Sequence, residues 1–388
     1  MPERLDLLSG LYLHIPFCKQ ACSYCDFYFV TSQEFKEPFV NALIQEIESY
    51  EGTHYASNSF HTLYIGGGTP SLLAISSLHR IIDAIKRVFT LDLREFTVEL
   101  NPDDVSLSYL QELSELGVNR ISMGVQTFAE ERLKLMHRAH SRSQAIQALE
   151  AMMQSPIRNY TVDLIYGQPG QSLEELYEDI EQLMIFNPPH ISAYALTVEK
   201  NTRLAKQVDL GRIIPAEDDT VAEHMEALEE RLFSHGLNRY EVSSFARPGK
   251  EALHNQLYWY HGNYLGFGPG AHCFWKPSSR SAVRWSNARD LTKYLEQAQQ
   301  IREIGLERAE KMDHSALVEE YLWLSMRTAN GLDREYLQQV YDYQLSEKQE
   351  ARLEHMVDHK WLQKEGACYR LTSTGFSISD RLGLDLIS

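Results

Sequence analysis

Between Leu11 and about Thr197 of this 388-residue chain, short β-rich runs alternate with segments of helical periodicity. This alternation is typical of parallel β/α units joined by right-handed crossovers. Strands are predicted at Leu11–Ile15, Thr62–Ile65, Phe96–Leu100, Arg120–Val125, Thr161–Ile165 and Ile191–Leu196. Amphipathic helices between them include Phe39–Ile47, Leu78–Val88, Leu107–Leu116 and Leu173–Phe186. The sequence therefore predicts an α/β fold, a partial (β/α)6 TIM-like barrel with its chemistry at the C-terminal strand ends.

The rest of the chain differs in character from the predicted barrel. We predict three domains: the barrel over residues 1–200, an aromatic-rich extension over 201–310 and a C-terminal domain over 311–388. The extension has a helical segment near Asp218–His235. In the last domain, two or three helices precede a hairpin of Trp361–Gln363 and Cys368–Leu371 around Glu365 and Gly366. We expect this C-terminal α+β region to include a winged-helix-like subdomain.

The charge balance argues against a nucleic-acid partner. The chain has 37 basic and 54 acidic side chains, a formal charge of −17, which opposes binding to phosphate backbones and anionic lipid. The winged-helix-like tail is also acidic, so we interpret it as structural or partner-binding. No apolar run of 18 residues occurs, and Met1–Gly10 contains no apolar signal core. A cytoplasmic protein is expected, with peripheral membrane association left open.

Three of the five cysteines, Cys18, Cys22 and Cys25, lie within eight residues, just after the first predicted strand. Their spacing is C-x3-C-x2-C, which does not resemble a disulfide framework. Soft thiolates select iron–sulfur clusters, zinc or copper. A structural zinc site normally has four ligands, and no second Cys/His pair lies nearby, although His14 is close in sequence. We therefore predict a [4Fe–4S] cluster in which one iron has no protein ligand.

These residues resemble a known superfamily. The triplet and its position after a strand are similar to the radical S-adenosylmethionine superfamily, whose members bind the cofactor's amino and carboxylate groups at the open iron. The resemblance covers about Leu11 to Thr197. Within it, His14-Ile-Pro-Phe-Cys18 and Gly66-Gly-Gly-Thr-Pro-Ser71 resemble the group that contains oxygen-independent coproporphyrinogen III dehydrogenase and the HemW-type haem chaperones.

The resemblance implies a set of cofactor contacts. By residue, they are Tyr12 and Tyr24 beside the cluster, Gly67, Gly68 and Thr69 after the second strand, and Glu99, Gln126, Arg138 and Asp163 near later strand ends. Glu99 and Asp163 can accept hydrogen bonds from an amine or from ribose hydroxyls, and Arg138 can donate two to a carboxylate. Taken singly, each charged residue is more often an exposed charge at the barrel rim, but their occurrence on successive strands favours the cofactor contacts.

Two departures separate the chain from the porphyrinogen-oxidising members. Those proteins have a fourth cysteine two residues after the third, where this chain has Phe27, as the HemW-type members do. They also carry a longer N-terminal segment, whereas ten residues precede the first predicted strand here. Both differences favour a chaperone over a coproporphyrinogen III dehydrogenase.

A haem-binding element is implied by His254-Asn-Gln-Leu-Tyr-Trp259, which matches the H-N-x-x-Y-W sequence associated with haem in the HemW-type group. Neutral imidazole can bind haem iron, which makes His254 a candidate ligand. Aromatic residues make up eight of the 32 residues from His254 to Trp285, against 11% of the whole chain. An aromatic core would give the same enrichment, and His261, His272 and Cys273 are rival ligands.

Three functional hypotheses follow. The first is a carrier that binds haem and passes it to acceptors such as respiratory haemoproteins, with the cluster and S-adenosylmethionine controlling assembly, loading or oligomeric state; a dimer is left open. The second is an enzyme that modifies a tetrapyrrole through a 5′-deoxyadenosyl radical. The third, a winged-helix regulator with the cluster as sensor, is disfavoured by the acidic tail. The sequence therefore leaves enzymatic turnover open.

Anaerobic reconstitution should load ~4 Fe per chain, because a cube cluster has four irons. Cys22→Ser should lose this iron, whereas the matched change Cys368→Ser, far from the triplet, should retain it. Iron and sulfide analysis measures both. Stoichiometric zinc without iron in the wild-type protein would contradict the cluster.

Overall fold

The structure is a computed structural model that describes residues 5–388. Its main feature is one sheet of twelve strands in the order β12-β11-β10-β9-β1-β2-β3-β4-β5-β6-β8-β7. The strands are β1 (Ser9–Ile15), β2 (Ser59–Gly67), β3 (Thr90–Leu100), β4 (Arg120–Gln126), β5 (Asn159–Tyr166), β6 (His190–Ala195), β7 (Asn238–Arg239), β8 (Ser244–Ala246), β9 (Asn263–Phe267), β10 (His272–Ser278), β11 (Ser281–Ser286) and β12 (Glu310–Met312). Strands β1 to β6 pair in parallel and in sequence order, which confirms the six predicted strands.

Helices connect these strands and build the C-terminal part. They are α1 (Lys36–Glu48), α2 (Ile75–Val88), α3 (Leu107–Leu116), α4 (Glu130–Leu135), α5 (Arg142–Gln154), α6 (Leu173–Met184), α7 (Arg203–Asp209), α8 (Asp218–Ser234), α9 (Leu253–Trp259), α10 (Leu291–Gln297), α11 (Ile301–Glu307), α12 (His314–Ser325), α13 (Arg334–Tyr341), α14 (Glu347–Asp358), α15 (Ser373–Ser377) and α16 (Ser379–Ile387). Helices α5 and α6 each begin with a capping box, at Ser141 and Ser172, in which side chain and backbone satisfy each other's donors. Within the described chain, no helix is long and apolar enough to cross a membrane.

Side-chain alternation along the six parallel strands separates an apolar outer layer from a polar interior. In β1, Leu11, Leu13 and Ile15 are fully buried in the main hydrophobic core. The intervening Tyr12 and His14 point the other way, into the barrel. Because successive side chains of a strand point to opposite faces, the same alternation places polar residues of β2 to β6 on the inner face.

The extension is not a separate layer, since its strands continue the barrel sheet. After α8, β7 and β8 add antiparallel strands beyond β6. The chain then returns to the opposite edge, where β9 pairs in parallel with β1, Tyr12 lying opposite Gly266. Strands β10 to β12 continue from there. The extension therefore borders the cysteine-bearing strand directly.

The C-terminal region forms a smaller sheet with helices, as predicted. Strands β13 (Leu332–Asp333), β14 (Leu362–Glu365) and β15 (Cys368–Leu371) lie in the order β13-β15-β14. The predicted hairpin is confirmed, and Gly366 takes the left-handed φ of 62° that its tight turn requires. Its hydrophobic core also includes Phe274 of β10, so this region packs on the extension.

Glu46 connects helix α1 to the extension. This carboxylate is 1% exposed and accepts hydrogen bonds from the Gly268 amide (2.9 Å), the Asn287 side chain (2.7 Å) and the Tyr294 hydroxyl (2.5 Å). Burial raises the pKa of Glu46 to about 7, while the three donors oppose that rise. All three donors lie in the extension, so this contact fixes the glycine-rich turn after β9.

Glu46→Ala should lower the free energy of unfolding by about 3 kcal/mol or more, because a buried donor left without an acceptor costs about 1–3 kcal/mol. Urea unfolding of the cluster-free protein measures this change. The matched change Glu48→Ala removes an exposed carboxylate of the same helix and should have an effect below about 0.5 kcal/mol. Equal effects of the two substitutions would contradict the role given to Glu46.

Candidate functional site

The three triplet cysteines lie on the loop between β1 and α1, at the C-terminal end of β1. The loop is held by its backbone, since Cys18 N–H donates to the Val30 carbonyl (3.0 Å) and Val30 N–H to the Pro16 carbonyl (2.7 Å). On its other side, the loop is attached to the segment after α4, because Ser23 N–H donates to the Met136 carbonyl (2.9 Å). All three thiols are half-buried and free of disulfides. The loop thus presents them together at the mouth of the barrel.

The surroundings of the thiols suit a cationic group. Burial raises the pKa of Cys18 to about 11 and of Cys25 to about 12, and mutual repulsion with Cys22 contributes to both. Arg138 Nη1 lies 3.5 Å from Cys22 Sγ. Iron coordination deprotonates thiols outright, and the positive charge of the iron would offset the electrostatic repulsion among three adjacent thiolates. Within residues 5–388 no three ligand side chains converge on a single metal ion, whereas cluster thiolates each bind a different iron. The donor set therefore fits a cluster.

The glycine run after β2 lies against the cysteine loop. Gly68 N–H donates to the Ile15 carbonyl (2.8 Å) and Thr69 N–H to the Phe17 carbonyl (2.7 Å). A Cβ at Gly68 would lie 2.6 Å from the Phe17 oxygen, which no larger residue could tolerate without movement. Gly67, with a φ of 110°, donates its amide to Glu99 Oε2 (3.0 Å). These residues therefore join the second strand end to the cluster loop.

Two carboxyl groups lie inside the barrel. Glu99 also accepts from the Tyr64 hydroxyl (2.7 Å), while Asp163 has a long contact of 3.4 Å from Ser122 Oγ. Burial raises the pKa of Asp163 to about 7, and the charge of Glu99 adds to this; burial likewise raises the pKa of Glu99. Two neighbouring half-buried carboxyls of like charge favour retaining a proton between them. Together they can accept hydrogen bonds from a cationic or hydroxylated ligand.

Polar atoms near the strand ends are left without partners. Gln126 has a left-handed φ of 70°, and its buried Oε1 has no hydrogen-bond partner among the described residues. The same holds for Arg138 Nε, although Nη2 donates to Asn101 Oδ1 and to the Gly124 carbonyl, both at 2.7 Å. Buried polar atoms are nearly always paired in folded proteins. These unsatisfied atoms are consistent with a polar ligand in the barrel.

The tyrosines implied by the resemblance occupy different places. The Tyr12 hydroxyl bonds His14 Nδ1 (3.1 Å) inside the barrel, and its ring packs on Tyr64 with centroids 6.0 Å apart. The Tyr24 hydroxyl lies 3.5 Å from Arg138 Nη1, between the cysteine loop and the strand ends. The structure thus places all the residues implied as cofactor contacts around the interior and its mouth, while their roles stay predictions.

His254 is also in the barrel interior, at the start of α9, and is 1% exposed. Its Nδ1 bonds Thr62 Oγ1 (2.7 Å), its Nε2 bonds the Tyr258 hydroxyl (2.9 Å), and its ring stacks on Tyr64 at 5.1 Å. Burial lowers the pKa of His254 to about 3, so the imidazole is neutral. Iron ligation by His254, which stays a prediction, would require one of these hydrogen bonds to break.

Sequence reasoning did not identify several polar residues of this interior. Thr62, Tyr64 and Ser122 contact the predicted residues directly, and Asn101 binds both Arg138 and Thr69. The signal that could have found the first three is the two-residue period of β2 and β4, since they alternate with apolar residues of the outer layer. Asn101 lies just after β3, where barrel chemistry is expected.

Similarity to known proteins agrees with this geometry. The family model for the Radical SAM superfamily matches residues 12–183. The heme chaperone HemW of Lactococcus lactis is 32% identical over 377 residues, which cover 96% of this chain and 96% of that protein. HemW of Bacillus subtilis is 39% identical over 270 residues, covering 68% of this chain and 70% of that protein. The solved structure of coproporphyrinogen III oxidase (HemN) from Escherichia coli, at 20% identity, covers 100% of this chain and 92% of its own with a TM-score of 0.81, which shows a shared fold.

The raised pKa of Asp163 predicts a pH-dependent stability. Below about pH 4 the carboxyl is protonated in both states; between about pH 4 and 7 the folded state holds the proton more tightly, so stability falls as pH rises. Asp163→Asn should remove this loss and raise the free energy of unfolding by up to about 4 kcal/mol over wild type near pH 8. Urea unfolding between pH 5 and 8 measures it. Asp83→Asn, on the exposed face of α2, should keep the wild-type profile, and parallel profiles for Asp163→Asn and wild type would contradict the shift.

Proposed function

Because this chain belongs to the HemW family within the radical S-adenosylmethionine superfamily, we propose that it is a haem chaperone that binds haem and transfers it to acceptor proteins. The observation that carries the proposal is the 32% identity with the L. lactis chaperone along nearly the whole of both chains. Phe27, in place of a fourth cysteine, supports the same choice. Its phenyl ring, 68% exposed, has no atom that could bind iron.

We infer that Cys18, Cys22 and Cys25 hold a [4Fe–4S] cluster and that the barrel interior holds S-adenosylmethionine. When bound, this pair can supply an electron to the sulfonium of the cofactor, although a carrier does not require that chemistry. The chain's own contribution would be binding and orientation. Glu99 and Asp163 would accept hydrogen bonds from amine or ribose groups, and Gln126 Oε1 would accept another.

Arg138 would act beside the cluster. It is half-buried, and its two bonds to Asn101 and Gly124 hold the guanidinium in place, with Nη1 directed at Cys22 and Tyr24. The thiolate and the tyrosine raise the pKa of Arg138 further above its usual range, so the cation persists. A fixed positive charge beside three thiolates would stabilise the anionic cluster and attract a carboxylate.

We propose a cytoplasmic protein that delivers haem to respiratory haemoproteins. Peripheral contact with a membrane and dimerisation stay predictions tied to that delivery. The runner-up activity, coproporphyrinogen III dehydrogenation, is supported by the shared HemN fold alone, because identity with that protein is 20%.

Haem titration of the reconstituted full-length protein should give a saturable Soret change, and the loaded protein should transfer haem to an apo-haemoprotein. Anaerobic incubation with coproporphyrinogen III, reductant and S-adenosylmethionine should give no protoporphyrinogen IX. Cys22→Ser is the matched control that separates haem binding from cluster content. Clear porphyrinogen turnover without haem binding would contradict the proposed chaperone function and support the dehydrogenase activity.

A further inference from the structure

A cavity of about 460 Å³ lies where β9, β10 and β11 meet helices α9 and α12. Its walls include four large aromatic side chains, Tyr258, Tyr264, Phe274 and Trp323. Phe274 and Tyr264 stack with centroids 6.0 Å apart. Ligand pockets in proteins usually measure about 300–1,000 Å³ and combine apolar walls with a few polar groups. The cavity therefore suits a flat, apolar ligand.

The cavity is continuous with the architecture of the barrel. Strand β9 pairs with β1, so the inner face of the barrel extends onto β9 and β10. Along β10, His272 and Phe274 point to this face, whereas Cys273 and Trp275 pack in the main core behind it. Tyr258, which bonds His254 inside the barrel, also lines the cavity. A ligand here would lie next to the interior that holds the candidate cofactor site.

One of the four candidate iron ligands is already engaged on both ring nitrogens, and a second is engaged on one of them. Those of His254 bond Thr62 and Tyr258. In His261, which is 3% exposed, Nδ1 bonds the Tyr341 hydroxyl (2.9 Å) and Nε2 lies 3.4 Å from Glu320 Oε1. His254 would have to give up a buried hydrogen bond before it could bind iron. His261 also lines the cavity, but its Nε2 faces Glu320 Oε1 without a hydrogen bond, so iron bound there would displace the carboxylate.

The other two candidates differ in access. Cys273 is fully buried, and its Sγ lies 3.1 Å from the Gly266 amide on the core side of the strand. His272 lines the cavity, is exposed, and has no hydrogen bond from its ring to another described residue. Burial, Arg284 and Arg289 lower the pKa of His272, which keeps the imidazole neutral, the form that binds metals. His272 is thus the accessible ligand of the four.

The two arginines near His272 are not equivalent. Arg284 also lines the cavity and pairs with Glu320 (2.5 Å), so its charge is largely compensated. Arg289 donates to the Asp26 carbonyl (2.5 Å) and forms no ion pair with a described carboxylate. It also lines the mouth cavity of about 790 Å³ beside the cysteine loop. A carboxylate on a ligand bound at His272 could therefore pair with the uncompensated guanidinium of Arg289.

We propose that this cavity is the haem site, with the imidazole of His272 donating a nitrogen lone pair to the iron and Arg289 receiving a propionate. The inference rests on the proposed function and adds the location of the cargo. The aromatic side chains of the cavity would cover the macrocycle. The bond from His272 to the iron would form without loss of any hydrogen bond among the described residues. Because His272 is exposed, haem held there would be accessible to an acceptor.

Difference-absorption titration with haem, using reconstituted full-length protein, tests the site. His272→Ala should weaken binding at least about tenfold, equivalent to about 1.4 kcal/mol, and should change the Soret position and the electron paramagnetic resonance spectrum of ferric haem. Added imidazole should restore the wild-type spectrum, a readout that a structural role would not give. Arg289→Gln should weaken binding and leave the spectrum unchanged. His79→Ala, exposed on helix α2, is the matched control.

The outcomes separate the inference from the function on which it rests. Wild-type affinity and spectrum in His272→Ala would overturn the site but leave the chaperone intact. Loss of the wild-type spectrum only in a folded His254→Ala variant would assign the ligand to His254 and overturn the proposal. A wild-type protein that binds no haem would instead overturn the proposed function.

Discussion

Strand β1 is the element on which the rest of the structure depends, because it pairs with β2 on one side and β9 on the other. Its side chains serve three purposes. Apolar residues such as Leu11 pack under the helices, Tyr12 faces the interior, and the cysteine loop follows its C-terminal end. Gly10 permits this crowding, since a Cβ there would meet Thr62 at 2.6 Å and Leu257 at 2.7 Å. The candidate cofactor site and the aromatic cavity are neighbours because they share this strand.

Buried carboxylates in this chain fall into two physical classes. Glu46 accepts three strong hydrogen bonds, and Glu95 accepts the Leu253 and His254 amides, both at 2.9 Å, with the Arg120 guanidinium 3.8 Å away. These networks are complete and act as structural connections between distant segments. Asp163, by contrast, has only long contacts, at 3.4 and 3.5 Å, from the single hydroxyl of Ser122. An incompletely satisfied carboxyl in a low-dielectric interior costs stability unless a ligand completes it, which distinguishes a binding site from a structural network.

The H-N-x-x-Y-W element illustrates how a motif can point to the right region and leave its mechanism open. His254 and Tyr258 are four residues apart, so they lie on one face of α9 and bond each other. Trp259 packs under Arg327 of the C-terminal region, at 5.5 Å. In this structure the element closes the barrel interior and forms one wall of the cavity. The iron ligand that we propose, His272, lies on β10, eighteen positions after His254.

Local signals in the sequence were enough to predict the six parallel strands, the β/α order, the C-terminal hairpin and the cysteine loop. Each depends on residues close together in the chain: the alternation of apolar and polar residues, the three- and four-residue spacing of apolar residues in helices, and a fixed spacing of thiols. Tertiary structure alone decided that β9 returns to pair with β1, because strand edges are completed by partners that no local pattern specifies. For the same reason, the occupied nitrogens of His254 and the accessible ring of His272 could be distinguished only once distant segments had packed together.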